Sequence, residues 1–264
     1  AARHLALGSF LAGLLVEPCG DRSFPADWWF AVSGHLTPSI PAVAHAGLHD
    51  ALRALPGDAR LELAAGAVYE SMASTRFQDA RSAPRTGVRG RNYPPSISPA
   101  TLPPPALLRR AADLYRQAAA HQPGLAEAYL RLGRVLSLLG EPQAARQALE
   151  CAREKADGDT FLSYHSAMFL GDLKARTERP SAAASEYMKA IAAAPSAQAP
   201  RLALSHLLHS TGRTREALDV LDSALVAQAA GQLSDKDEPW LLYGLGAGRF
   251  ANSTLGRLRQ ELER

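Results

Sequence analysis

Two histidine pairs are the residues of this sequence whose type and spacing could support metal chemistry. His45 and His49 are four positions apart, and His206 and His209 are three apart. On a helix either spacing places both imidazoles on one face, where they can bind a metal if a third ligand lies near. Neither pair belongs to a known motif with Asp, Glu or Cys. We therefore interpret both as surface or hydrogen-bonded histidines, and we predict no metal site and no cofactor.

The catalytic motifs that a sequence can reveal are missing. The chain contains no His-x-Glu zinc motif, no phosphate-binding glycine loop and no Gly-x-Ser-x-Gly nucleophile elbow. Gly244, Gly246 and Gly248 do not follow a strand, so a dinucleotide-binding loop is not supported. Cys19 and Cys151 are too few for a zinc site and do not suggest a disulfide framework. We predict no catalytic residues and a protein that is not an enzyme.

The composition excludes two further classes of function. The chain has 264 residues, of which 47% are hydrophobic and 21% charged, and its formal net charge is +3. This is ample for a sizeable core. A nucleic-acid-binding protein more often concentrates its basic residues along one regular element, and no stretch is long and apolar enough to cross a membrane. We therefore expect no nucleic acid as a partner and no integral membrane segment.

A long segment rich in arginine and proline interrupts the helical pattern between Thr75 and Pro105. It has no periodicity, and loops of this length in a compact fold are usually functional or disordered. Proline-rich segments lose little entropy on binding, and arginine offers bidentate contacts to acidic groups. The segment is either a partner-binding loop or one that merely wraps the fold, and its candidate binding residues are Arg85, Arg89, Arg91 and Tyr93. The aromatic cluster Trp28-Trp29-Phe30 is either an interface or an anchor that folds an insert back onto the core.

Helical repeats must position these side chains. Three segments share a small residue in a first helix, followed by a second helix in which two alanines flank a large residue. They are Leu132-Gly133 with Ala145-x3-Leu149-x2-Ala152, Leu170-Gly171 with Ala183-x3-Tyr187-x2-Ala190, and Leu204-Ser205 with Ala217-x3-Leu221-x2-Ala224. Small residues let helix backbones approach closely, and large ones fill the space between neighbouring pairs. The pattern resembles the tetratricopeptide repeat (TPR), a unit of about 34 residues made of two helices.

The resemblance implies an all-α fold. We predict a right-handed TPR-like α-solenoid of about five helical hairpins, with two long irregular inserts and a C-terminal cap helix. The chain would form a single solenoid over residues 1–264. Its parts are a degenerate repeat at 1–56 with an insert at 18–41, a repeat at 59–123 with the Arg/Pro-rich insert at 75–105, repeats at 126–157, 164–195 and 198–229, and the cap at 239–264.

The resemblance also implies a binding face, because TPR proteins bind peptides or protein surfaces on a concave face lined by first helices. Carried onto this sequence, the candidate partner-binding positions are Arg134, His165, Met168, Asp172, Arg176, His206 and His209. Members of the family that bind chaperones hold a C-terminal carboxylate with a clamp of Lys and Asn. This sequence has neither residue type at those positions, so we do not expect it to recognise such a tail.

The predicted function is a non-catalytic scaffold that binds a protein or peptide partner of unknown identity. Two alternatives stay open: a structural subunit of a self-assembling or multi-protein complex, and a regulatory subunit of an enzyme. The inserts and the Trp-containing C-terminal cap resemble those of bacterial TPR proteins, which are often exported. The chain opens with Ala-Ala and no Met, so we expect a periplasmic or extracellular location if a signal peptide has been removed.

Overall fold

The computed structural model describes residues 52–53, 56–73, 104–229 and Tyr243. These residues are helical apart from short turns, and no strand occurs among them, which confirms the prediction of an all-α fold for this part of the chain. Eight helices have both ends in the described ranges: α1 (Ala59–Ala73), α2 (Pro104–His121), α3 (Ala126–Leu138), α4 (Pro142–Glu154), α5 (Thr160–Thr177), α6 (Pro180–Ala193), α7 (Ala199–Ser210) and α8 (Thr214–Ala229).

Contacts divide the chain into two units, and α1 and α2 belong to the first. They pack against each other although the Arg/Pro-rich segment separates them in sequence. A Cβ atom at Gly66 would lie 2.4 Å from the ring of Tyr115, so the glycine lets the two helices approach. The hydroxyl of Tyr115 donates to Glu70 Oε2 at 2.7 Å. α2 begins at Pro104, inside the predicted insert, because proline is tolerated in the first turn of a helix.

The second unit comprises Gln122–Tyr243 and contains three successive helical hairpins. α3 pairs with α4, α5 with α6, and α7 with α8. Each hairpin also packs on the next, through α4 against α5 and α6 against α7, and the first helices α3 and α5 touch directly. This is the nearest-neighbour packing of a repeat array.

Glycine in the left-handed conformation ends the first helix of two hairpins. Gly140 and Gly212 both have φ of +80°. Around Gly140, the N–H of Glu141 donates to Leu136 O at 2.9 Å and that of Gly140 donates to Ser137 O at 3.3 Å. These two bonds satisfy the last carbonyls of α3, as in a Schellman motif, and allow the chain to reverse into α4.

The small residues of the repeat pattern lie where a second helix crosses a first helix. A Cβ at Gly133 would lie 2.5 Å from Leu149, and one at Gly171 would lie 2.6 Å from the ring of Tyr187. In the third hairpin Ser205 replaces the glycine, and its hydroxyl donates to the carbonyl of Ala217 on α8 at 2.9 Å. The serine therefore keeps the close approach and adds a hydrogen bond between the two helices.

A tight turn at Asp157 and Gly158 precedes the long helix α5. Asp157 and Gly158 form a turn with positive φ, and the side chain of Asp159 then caps α5 by accepting from the N–H of Leu162 at 3.0 Å. α5 consequently starts at Thr160, about one turn before the predicted repeat at 164–195.

The degenerate repeat at 1–56 lies outside the described residues apart from 52–53 and Pro56, as do nearly all of the Arg/Pro-rich insert and all of the C-terminal cap except Tyr243. None of the described helices combines the length and the apolar character that crossing a bilayer requires.

Candidate functional site

Tyr243 lies against the first helices α3 and α5 of the second unit, and only 7% of its surface is exposed. The guanidinium carbon of Arg131 lies 4.2 Å from the centre of its ring, and that of Arg134 lies 5.2 Å away. The rings of His165 and Phe169 are each centred 5.3 Å from it. We call Arg131, Arg134, His165 and Phe169 the aromatic pocket. Two cations over one ring are an arrangement suited to holding an aromatic side chain.

Arg131 is the polar centre of the aromatic pocket, although it is only 2% exposed. Its Nε donates to Glu127 Oε1 at 2.8 Å, one helical turn earlier on α3. Its Nη2 donates to the backbone carbonyl of Tyr243 at 2.9 Å. A buried charge is tolerated when it is paired and its remaining donors are hydrogen-bonded. Arg131 therefore binds both the ring and the carbonyl of the same residue.

A second group of polar side chains lies toward the C-terminal ends of α3 and α5. Asp172 Oδ1 accepts from the hydroxyl of Tyr187 at 2.7 Å. Burial raises the pKa of Tyr187, and the neighbouring Asp172 carboxylate raises it further, so the hydroxyl stays protonated as a donor. Arg176 is exposed, and its Nη2 donates to Ser137 Oγ at 2.6 Å. Two opposite charges are thus held in fixed positions.

A buried carboxylate links α4, α5 and α6. Glu186 Oε1 lies 2.7 Å from Lys174 Nζ, 3.1 Å from Lys189 Nζ and 3.5 Å from Arg153 Nη1. Burial alone would raise the pKa of Glu186, but the hydrogen bonds and charges of the two lysines outweigh it and hold this pKa below its usual value of 4.5. The group joins neighbouring helices, and we assign it a structural role.

The fold is similar to three solved structures. One is a crystal structure of MamA, with a TM-score of 0.54 and 18% identity, covering 76% of this chain and 95% of that one. Another is MamA from Desulfovibrio magneticus RS-1, with a TM-score of 0.52 and 15% identity, covering 77% and 94%. The third is PilF from Pseudomonas aeruginosa, with a TM-score of 0.53 and 16% identity over the full length of both chains. In addition, a tetratricopeptide-repeat family model matches residues 126–152. The chain therefore has a TPR-like fold, and residues 126–152 match the tetratricopeptide repeat itself.

The TPR model covers α3, α4 to Ala152 and the turn between them, which is the hairpin built around Gly133 and Leu149. The resemblance inferred from the repeated small and large residues is therefore confirmed. No curated protein sequence matches the chain significantly. At these identities the solved structures establish the fold and nothing more specific.

The structure brings three of the predicted partner-binding residues to neighbouring places on the first helices α3 and α5. Arg134 is half-buried, with its guanidinium carbon 4.8 Å from the centre of the Phe169 ring. Asp172 is half-buried and Arg176 is exposed. Their use by a partner stays a prediction.

His165 and Met168 were expected on an accessible surface, and this expectation is wrong for both side chains. His165 is 0% exposed, and its ring packs between Phe161, Phe169 and Tyr243. Met168 is buried in the core that α5 shares with α6 and α7. The physical reason is that every residue from 164 to 171 is buried, because this part of α5 is covered on all sides. No side chain of this segment is exposed while Tyr243 and the neighbouring helices cover it.

His206 and His209 are exposed on α7, and within the described ranges no group of three or more His, Cys, Asp or Glu side chains is close enough to hold a metal ion. The other histidine pair, His45 and His49, lies outside the described residues. The same is true of the candidate binding residues Arg85, Arg89, Arg91 and Tyr93.

Sequence reasoning missed Arg131, Phe169 and Tyr243. One signal was available for Arg131, because Glu127 precedes it by four residues and a Glu-to-Arg pair at this spacing faces itself on a helix. Arg131 and Phe169 also occupy equivalent places, two residues before the glycines Gly133 and Gly171. No local pattern distinguishes Tyr243, because its contacts are with helices far away in sequence.

Proposed function

We propose that this protein with a TPR-like fold is a non-catalytic scaffold that binds a protein or peptide partner through the first helices of its second unit. The surface in question is lined by Arg134, Asp172, Arg176, His206 and His209, and we call it the first-helix face. Repeat arrays generally use such faces for binding.

The observation that carries this proposal is the ordering of charged groups before any partner arrives. The Tyr187 hydroxyl fixes Asp172, and the Ser137 hydroxyl fixes Arg176. Binding normally costs about 0.5–1.5 kcal/mol for each flexible side chain that becomes immobile. Groups that are already held avoid part of this cost, which favours a recognition surface over an ordinary solvated one. Their opposite charges suit a partner that carries both signs.

The experiment is affinity capture with the full chain and two matched double variants. Asp172→Ala with Arg176→Ala removes the two ordered charges of the first-helix face. Asp113→Ala with Arg116→Ala removes an exposed ion pair of the same type on the second helix α2. We expect a partner that is retained at a defined stoichiometry by the wild type and by the α2 variant, and that is lost with the first-helix variant. Equal recovery by all three proteins would contradict the proposal.

A self-assembling subunit is the second candidate, and the surface of α8 favours it. Leu225 and Val226 follow Leu218 by seven and eight positions, so the three side chains lie within about 100° of one another around this helix. Leu225 and Val226 are 62% and 70% exposed. Large exposed apolar groups on one helix side are typical of interfaces. Light scattering across a concentration series tests this candidate: a mass that rises with concentration, and that returns to the monomer value in Leu225→Glu, would support it. A constant monomer mass would exclude it.

A further inference from the structure

We infer that the aromatic pocket is a subsite for an aromatic side chain of a peptide ligand, and that Tyr243 occupies it as an internal competitor. The inference deepens the proposed function and rests on it, because it names the chemistry of one part of the partner and a restraint on its binding. Arg131 and Tyr243 are 112 positions apart in sequence, so this contact is tertiary rather than part of a hairpin.

The pocket selects an aromatic ring by geometry and by charge. The Arg131 and Arg134 guanidinium groups lie 4.2 and 5.2 Å from the centre of the Tyr243 ring, within the roughly 6 Å over which a cation attracts the face of a ring. The Phe169 ring meets it edge-on, with an interplanar angle of 79°. An aliphatic side chain would fill the same space without the attraction to the two cations.

Glu127 already neutralises one of the two cations of the aromatic pocket. Arg131 forms a buried ion pair with it at 2.8 Å. A ring with a strong electron-rich face, such as that of tyrosine or tryptophan, suits the two guanidinium groups and the neighbouring aromatic rings.

The backbone contact is one that any peptide can reproduce. Arg131 Nη2 donates to the main-chain carbonyl of Tyr243, not to its side chain. Every residue of a peptide carries such a carbonyl, so a partner residue with an aromatic side chain can replace both interactions at once. The exchange preserves this hydrogen bond of the buried Arg131 guanidinium, which matters because an unsatisfied buried charge is costly.

Tyr243 belongs to the same chain as the aromatic pocket, so its competition with a separate ligand does not depend on protein concentration. A ligand that binds only the free pocket is weakened in proportion to the fraction of time for which the pocket is free, so a pocket that is free about one-tenth of the time binds it about 10-fold more weakly. Removal of the Tyr243 ring should release this restraint.

The test uses the full chain and a fluorescent peptide with the sequence of residues 238–248, Glu-Pro-Trp-Leu-Leu-Tyr-Gly-Leu-Gly-Ala-Gly. Fluorescence anisotropy measures its affinity for the wild type, Tyr243→Ala and Tyr243→Phe. We expect Tyr243→Ala to bind at least about 10-fold more tightly than the wild type. Tyr243→Phe keeps the ring and should bind as weakly as the wild type.

Two controls connect the binding to the pocket. A peptide with alanine in place of the tyrosine should not bind Tyr243→Ala, because it lacks the ring at this position. Addition of Arg134→Ala to Tyr243→Ala should weaken binding of the original peptide, because one of the two cations is lost.

Three outcomes would overturn the inference. They are equal affinity for the wild type and a folded Tyr243→Ala, equal binding of the two peptides, and loss of the folded state in Tyr243→Ala while Tyr243→Phe stays folded. The last would make Tyr243 a core residue. The assay needs no natural partner, so its failure is distinct from that of the proposed function, which is tested by capture with the Asp172 and Arg176 variants.

Discussion

Gly171→Ala is the substitution for which the structure gives the sharpest expectation. The new Cβ would lie 2.6 Å from Cε1 and 2.8 Å from Cδ1 of Tyr187. Such separations are well inside van der Waals contact, so either the ring or the helix must move. The ring has little freedom to do so, because Tyr187 is buried and its hydroxyl is bonded to Asp172. We therefore expect the hairpin of α5 and α6 to lose stability.

The magnitude follows from two opposing effects. Replacing glycine by alanine inside a helix favours folding by about 1 kcal/mol. Overpacking a core costs about 1–3 kcal/mol, and the fixed position of Tyr187 places this site near the upper end. The free energy of unfolding should therefore fall by about 2 kcal/mol. With a urea dependence near 2 kcal/mol/M, the unfolding midpoint should move down by about 1 M.

Urea unfolding followed by circular dichroism measures this change, with Gly124→Ala as the matched control. A Cβ at Gly124 meets no atom within 4 Å, so its midpoint should stay close to that of the wild type. The same substitution at Gly171 in a Tyr187→Ala background should be neutral or slightly stabilising, because the clashing ring is gone. An unchanged midpoint for Gly171→Ala alone, or an equal loss in both backgrounds, would refute the steric argument.

Three further changes test the polar contacts of the second unit in the same urea assay. Ser205→Ala removes the hydroxyl that donates to Ala217 O, and should lower the free energy of unfolding by about 1 kcal/mol; no change would mean that this hydrogen bond contributes nothing net. Asp159→Ala removes the cap of α5 and should cost about 1 kcal/mol, whereas Asp159→Asn, which can still cap, should cost much less. The pKa of Glu186 is lowered in the folded state, so its carboxylate stabilises the fold above the usual value of 4.5 and this contribution is lost as the pH falls below it. Glu186→Gln should accordingly be less stable than the wild type at neutral pH, with a difference that shrinks in acid; a constant difference would contradict the assigned cause.

The sequence by itself determined the class of fold and much of the helix pattern. The alanines, the large residues and the glycines recur at fixed spacing. They pack against residues of their own hairpin, as Gly133 packs against Leu149 and Gly171 against Tyr187. Information of this kind is local, so it can be read as a periodic pattern. Proline begins α4 at Pro142 and α6 at Pro180, which is local information as well, because proline at the first helical position acts within one turn.

The tertiary structure alone decided which residues of the first helices are accessible. Repeat position suggested exposed side chains for His165 and Met168, yet the middle of α5 is enclosed by its neighbours and both side chains are buried. Sequence spacing also could not reveal the contact of Arg131, because this side chain donates to the carbonyl of Tyr243, which lies 112 positions away. Whether a side chain faces solvent depends on what packs over it. That information is spread over segments distant in sequence, and no spacing within a single helix contains it.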